Sequence, residues 1–472
     1  MSATATAPQR QPAGIWQSML EALRGTEQDF TEGSISRAVL LLATPMVLEM
    51  FMESLFAIVD VFWVSRLGAN AVATVGLTES MFALVFSVAM GVSMSATAMV
   101  ARRIGEKDQD GAAIAAVQAI ALGCLLAVVM GVPGYWFAPR LLELMGASAS
   151  VVATGHNYTA IGLGGIYSVM LLFLNNAIFR GAGDASIAMR VLWFSNLINL
   201  ALDPLLIFGL GPFPAMGVTG AAVSTLTGRT CGVLLQVWIL NRGHSRIRIR
   251  AKSLAIVPRV IGALVRVSAT GVLQFGIAHT GWVALVRIIS GFGSDAVAGY
   301  TVGIRIFIFA ILPSWGLSGA ASTMVGQNLG ARKPDRAQRA VYTTAAYNMA
   351  YLALVSVLFI AAPEKLIALF TTDPAIAPYG VACLRILGYG NVVYAFGMVM
   401  VQSFNGAGDT VTPTFINAIG YLLCEIPLAW ALAHRLGMGV PGVFASIPIS
   451  ELFITLMGLA MFLRGNWKTR LI

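Results

Sequence analysis

Six residues in this sequence combine groups able to hold a cation reversibly with surroundings that are otherwise apolar: Glu49, Glu53 and Asp60 in one run, Asn196, Asn199 and Asp203 in another. The first run, RAVLLLATPMVLEMFMESLFAIVDVFWVSRLG from Arg37 to Gly68, is long enough to cross a bilayer as a helix. At 100° per residue Glu53 lies about 40° and Asp60 about 20° from Glu49, so the three carboxylates share one stripe. Each would cost about 2.5 to 3.5 kcal/mol at the membrane centre, which excludes a lipid-facing stripe and requires a wet, acidic cavity. The second run, SNLINLALDPLLIF, sets Asn196, Asn199 and Asp203 at spacings of three, four and seven, again one helical face. An amide oxygen and a carboxylate one turn apart can coordinate a small cation or share a proton; Na+ or a proton relay needs such hard oxygens. The alternative is that Asn199 and Asp203 merely join helix to helix. Cation binding is preferred, because Asp60 and Asp203 cannot both stay ionised and unpaired in apolar surroundings without a compensating cation or proton.

The elements that must position these groups are membrane helices. The chain has 472 residues, 57% hydrophobic and 11% charged, against roughly a quarter charged in soluble domains. Between residues 38 and 464, twelve apolar stretches of about 20 residues or more could each span a hydrocarbon core of about 30 Å. The expected fold class is an all-α polytopic membrane protein. The net charge of +9 is topological: with both termini inside, most of the 30 Lys and Arg fall in cytoplasmic tails, loops and span ends, as the positive-inside rule requires. A nucleic-acid partner is therefore not expected, and the chain is placed in the cell's inner membrane as a multi-pass protein.

The chain is also written twice. Residues 91 to 112 align without a gap to 316 to 337, FRGAGD at 179 to 184 matches FNGAGD at 404 to 409, and GANAVA at 68 to 73 matches GSDAVA at 293 to 298, all at an offset of 225. MGVTGAAVS at 216 to 224 further answers MGVPGVFAS at 438 to 446. Six spans per copy is an even number, so the copies are parallel and related by an axis along the membrane normal, with a binding cleft between them near the midplane. The division expected is a cytoplasmic tail over 1–35, a six-helix lobe over 36–241, a basic cytoplasmic linker over 242–257 and a second six-helix lobe with a short tail over 258–472. The two pseudo-symmetric lobes enclose the central cleft.

Other features have structural readings. The GAGD segments suit turns in which a left-handed glycine closes one helix and Asp184 or Asp409 caps the next. Cys124, Cys231, Cys383 and Cys424 lie in spans without metal-ligand spacing and read as small packing residues. Phosphate-cradling, HExxH and GxSxG motifs are missing, which leaves an intramembrane enzyme without a visible nucleophile or metal. No cleavable signal peptide is expected. In the tail, Ile15, Trp16, Met19, Leu20 and Leu23 have the spacing of a short interfacial helix, with a disordered tail as the alternative. The second lobe differs in charge. Gln274, Arg305, Tyr394 and Glu425 are its candidate substrate contacts, with Arg305 able either to balance Glu425 or to meet an anionic group. Glu451 and His279 read as buried single partners.

With these residues in view, the chain resembles the multidrug and toxic compound extrusion (MATE) family, in its bacterial branch that couples through the N-terminal lobe. The resemblance covers roughly residues 35 to 465. It rests on PMVLEMFMESLFAIVDVFWVSRLG, the paired GxSxxxxxMV segments, the second ending VGQNLGA at 325 to 331, the paired GAGD turns and NLALDPLLIFGLGPFPAMGVTGAA. It implies that Asp60 is the first-span aspartate that binds H+ or Na+, that Asn199 and Asp203 are its fifth-span partners, and that Pro45 is the hinge at which that helix bends. The sequence departs from the family pattern at Glu49, Glu53, Phe56 and Ala57, gaining two acids and losing neutral hydrogen-bonding groups. The function implied is secondary active export, as a monomer, of amphipathic, cationic organic compounds against H+ or Na+, with no organic cofactor and no metal besides Na+. A flippase for lipid-linked sugars, holding phosphate with Arg287, Arg305 and Arg385, is the alternative within transport. An intramembrane enzyme or receptor is the alternative outside it.

Overall fold

The computed structural model describes residues 15–25, 29–243 and 245–470, and almost all of them are helical. After a short α1 (Ile15–Arg24), the first repeat comprises α2 (Ile35–Ser65), α3 (Ala69–Gly105), α4 (Gln109–Trp136), α5 (Ala138–Leu144), α6 (Ala149–Gly164), α7 (Ile166–Ala182), α8 (Ala185–Phe208) and α9 (Val218–Arg242). The second comprises α10 (Pro258–Ser290), α11 (Ser294–Gly330), α12 (Pro334–Ala361), α13 (Pro363–Ala368), α14 (Ala377–Gly406), α15 (Val411–Arg435) and α16 (Val440–Leu463). Among the described residues ten helices are long and apolar enough to cross a membrane singly, and α6 with α7 makes an eleventh span bent by 40°. The break falls at Gly165, after Gly162 and Gly164, where the chain lacks side chains to resist it. The twelfth span is α2, whose 31 residues reach about 46 Å.

The repeated sequence produces a repeated backbone. Gly68 and Gly293 open α3 and α11 at φ 95° and 110°, Gly183 and Gly408 follow α7 and α14 at 91° and 78°, and Gly217 and Gly439 precede α9 and α16 at 56° and 62°. Even the two non-glycine residues with positive φ, Lys107 at 61° and Arg332 at 57°, are counterparts. Left-handed geometry costs roughly 1 to 2 kcal/mol for an L-residue; here the following amides, Asp108 to Arg103 O at 2.9 Å and Lys333 to Asn328 O at 2.8 Å, close both helix ends. The short helices α5 and α13 recur at the same offset, a feature that hydropathy alone had left unseen.

The two GAGD turns diverge in use. Asp409 caps α15, accepting from the Thr412 amide at 3.3 Å and hydroxyl at 2.7 Å. Asp184 makes no side-chain cap to α8; it accepts instead from Ser245 Oγ and the Arg246 amide, each at 2.8 Å, and so fastens the basic linker. The capping expectation therefore fails in the first copy, where the linker competes for the carboxylate.

The lobes meet over the half of the molecule that holds Arg102, Lys107, Arg332 and Lys333, the basic end. A Cβ on Gly105 would lie 2.0 Å from Gln327 O, and one on Gly330 would lie 2.2 Å from Arg102 O. Gln327 Nε2 donates to Gly181 O at 2.9 Å and Thr323 Oγ1 to Arg180 O at 3.0 Å. The N-terminal segment spans the seam. Phe30 is buried under the Arg246 guanidinium and against Gly183, while Arg336 donates to the carbonyls of Phe30, Glu32 and Gly33 and Lys333 to that of Thr31. Helix α1 buries Ser18 and Ala22 and turns Trp16 and Leu20 outward, the arrangement of an interfacial helix. The rest of the tail, at 1–14 and 26–28, lies outside the described residues.

Candidate functional site

Helix α2 carries its carboxylates past three different neighbours, so the common stripe does not face a common cavity. Glu49 is 1% exposed and Oε1 accepts from Asn176 Nδ2 at 3.0 Å and Arg180 Nη1 at 2.9 Å, both on α7. It lines no cavity. One turn on, Glu53 accepts from Asn196 Nδ2 on α8 at 3.2 Å and faces Arg229 Nη2 on α9 at 3.9 Å. Asp60 lies two turns further, five residues before the end of α2 at Ser65. Of the residues expected around an acidic cavity, Glu53 and Asp60 line one; Glu49 and Asn196 do not. The reason is tertiary: α7 supplies an arginine exactly one side chain's reach from Glu49, information no helical wheel contains.

That cavity has a volume of about 380 Å³ and is lined by Glu53, Asp60, Glu79, Tyr158, Thr225 and Arg229, with Ile308 and Phe309 of α11 forming the wall from the other lobe. Asp203 is fully buried one layer behind it. Its Oδ1 accepts from the Ser224 hydroxyl and from Asn199 Nδ2 at 3.4 Å, and Asn199 Nδ2 also reaches Thr225 Oγ1 of the cavity wall at 3.0 Å. The charges acting on Asp60 come from Asp203, Glu79 and Arg229. Three buried oxygens of this group, Asp60 Oδ1, Asn199 Oδ1 and Asp203 Oδ2, have no hydrogen-bond donor. Unpaired buried acceptors of this kind are satisfied by a proton on the carboxyls or by a small hard cation. Among the described residues neither Asp60 nor Asp203 has a basic group within ion-pair distance, whereas Glu49 and Glu53 each face an arginine. Pro45 sits inside an unbroken α2. One residue on, α11 passes so close that a Cβ on Gly316 would meet Met46 O at 2.6 Å.

A second cavity of about 280 Å³ lies between the lobes, lined by Met46, Met50, Met90, Met94 and Met398 together with Phe275, Trp315, Tyr394, Tyr421, Gln274 and Glu451. Gln274 and Tyr394 are thus placed in it. Arg305 is exposed, pairs with no carboxylate at ion-pair distance, and acts electrostatically on Glu79 of the other lobe rather than on Glu425. Glu425 is buried beside the cavity without lining it. Its place is taken by Glu451, which accepts from Tyr421 Oη at 2.9 Å. Arg385 is bound to Glu364 at 2.5 Å, and neither it nor Arg287 or Arg305 lines this cavity, so no arginine platform for a phosphate forms there. Sequence reading passed over Glu79 and Arg229 and took Glu451 for a buried single partner rather than a cavity residue, although a charge inside an apolar span is itself the signal that finds all three. Among the described residues no group of His, Cys, Asp and Glu is arranged to hold a metal ion.

Two repeated six-helix lobes with polar cavities at and beside their seam define a polytopic membrane transporter. The chain belongs to the MatE family, whose model matches residues 45–205 and 279–431, one stretch in each lobe; it is a transporter and not an enzyme. It is similar to a probable multidrug resistance protein NorM of Thermotoga maritima, 25% identical over 92% of this chain and 94% of that one. It is also similar to the FAD transporter of Shewanella oneidensis, 26% identical over 91% and 94%. Among solved structures, a MATE crystallised in complex with MaL6 superposes with a TM-score of 0.88 at 25% identity, covering 93% of this chain and 99% of that one.

Proposed function

We propose that this protein is a monomeric secondary active exporter of the inner membrane, expelling amphipathic organic cations in exchange for H+ or Na+ taken up at Asp60 and its partners Asn199 and Asp203. The observation that carries this reading is the set of three donor-free buried oxygens beside a chamber near the end of α2 opposite the basic end. Taking the basic end as cytoplasmic, that chamber opens toward the outside, from which the coupling cation arrives. The lobes are then sealed inward, as an outward-open state requires. Neutralising Asp60 removes a buried charge and lets α2 bend near Pro45, where α11 of the other lobe is in direct backbone contact. One charge falling through 100 mV supplies about 2.3 kcal/mol, and each tenfold gradient costs about 1.4 kcal/mol, so one proton supports roughly fifty-fold accumulation of a neutral compound, whereas a monovalent cation leaving for one proton cancels the electrical term and is driven by the concentration gradient alone.

The central cavity is the substrate site in this reading. Methionines adapt to varied shapes, aromatic faces and Glu451 attract a cation, and the one arginine lining it, Arg180, is already neutralised by Glu49. An anionic cargo such as the Shewanella relative's FAD, or a lipid-linked sugar, would meet Glu451 without a free cation to offset it. Asp60→Asn is expected to abolish gradient-driven efflux of a fluorescent organic cation from vesicles while the protein is inserted normally. Wild-type transport by that variant would remove Asp60 from the mechanism.

A further inference from the structure

The two GAGD turns are covered differently, and the difference leaves a third cavity. In the first lobe the left-handed Gly183 is capped by the Phe30 ring. At the counterpart Gly408 no described residue forms such a plug, and a cavity of about 810 Å³ lies between α10, the start of α15 and the C-terminal segment, lined by Arg266, Thr270, Gly408, Thr410, Asn466 and Arg470. Two guanidiniums and several hydroxyls line it. Among the described residues Arg266 has no carboxylate at ion-pair distance, and Arg470 is held only loosely, 3.9 Å from Asp409. Thr270 and Thr410 are hydrogen-bonded across the floor.

The cavity sits at the basic end of two membrane helices, and an apolar track leads from it. On α10, Leu273 lies about 20° from Arg266 around the helix, and it is strongly exposed. On α15, Val411 lines the cavity and Phe415, one turn deeper, is also exposed. A polar pocket for phosphate continued by an apolar stripe fits one amphiphile: a phospholipid standing in the leaflet of the basic end.

We propose that the crevice between α10 and α15 binds a single anionic phospholipid, its phosphate between Arg266 and Arg470 and an acyl chain along Leu273 and Phe415. A free phosphate would use the same guanidiniums but ignore the stripe, so the two sources are separable. The test is native mass spectrometry of the full chain in detergent micelles doped with phosphatidylglycerol, phosphatidylcholine or inorganic phosphate. Wild type is expected to retain one phosphatidylglycerol at concentrations about tenfold below those needed for phosphatidylcholine. Arg266→Gln should erase that preference and Arg266→Lys partly restore it. Gly262→Phe fills the cavity without touching its charge, since a Cβ at Gly262 meets nothing within 4 Å, and should abolish retention while leaving the melting temperature in lipid-free detergent unchanged. Equal retention of both lipids, unaltered retention by Gly262→Phe, or displacement of phosphatidylglycerol by millimolar phosphate would each overturn the proposal.

Discussion

Four intramembrane acids of the first lobe fall into two pairs with opposite fates. Glu49 and Glu53 are each answered by an arginine, Arg180 and Arg229. Among the described residues Asp60 and Asp203 are answered by hydroxyls and an amide at most. The distinction yields a prediction at this scale. Glu49→Ala removes the partner of Arg180, which is itself only partly buried at the central cavity, so the melting temperature of the purified protein should fall, with a loss of stability smaller than the roughly 3 to 5 kcal/mol expected for a fully buried pair. Removing both partners should recover much of that loss, the signature of a coupled pair in a double-mutant cycle. Asp60→Asn, by contrast, should leave the melting temperature level or higher.

Among the elements, α2 is the one through which the two lobes communicate. It carries Asp60 to the first-lobe chamber near one end, methionines to the central cavity at its middle, and the Pro45 to Met46 stretch that α11 packs against. Closure at the basic end depends on glycines that let α3 and α11 touch. Replacing Gly105 with leucine would place atoms where Gln327 O already stands, so the sealed state should lose out to one with separated ends. Spin labels at the exposed positions 107 and 332 should then report a longer distance in the variant than in wild type; an unchanged distribution would show that this contact does not govern closure.

For the molecule as a whole, the decisive relation is between two lobes that touch at the basic end and flank a chamber toward the other. Phe82 of α3 and Ile308 of α11 line the same chamber from opposite lobes. Cysteines at these two positions, in a chain whose four native cysteines are serines, should be bridged by a short bifunctional thiol reagent. Transport should then stop, and a cleavable reagent should allow reduction to restore it. Full activity of the bridged protein would mean that the lobes need not approach each other at that end.

The sequence determined the class outright. An apolar chain with regularly spaced spans has no other solvent than lipid, and a constant offset of 225 residues forces two like-folded halves, down to Lys107 and Arg332 adopting the same rare backbone geometry. It also isolated Asp60, Asn199 and Asp203, because carboxylates in hydrocarbon are too unfavourable to be incidental. What only the tertiary structure decided is which charges have partners. The arginines that neutralise Glu49 and Glu53 lie more than a hundred residues away along the chain, and Glu451 rather than Glu425 reaches the central cavity because of how α15 and α16 pack together. The covering of Gly183 by Phe30, with Gly408 left open, is likewise set by where distant segments come to rest. Helical periodicity fixes the face on which a residue lies; the identity of the atom opposite depends on packing between segments that share no local pattern.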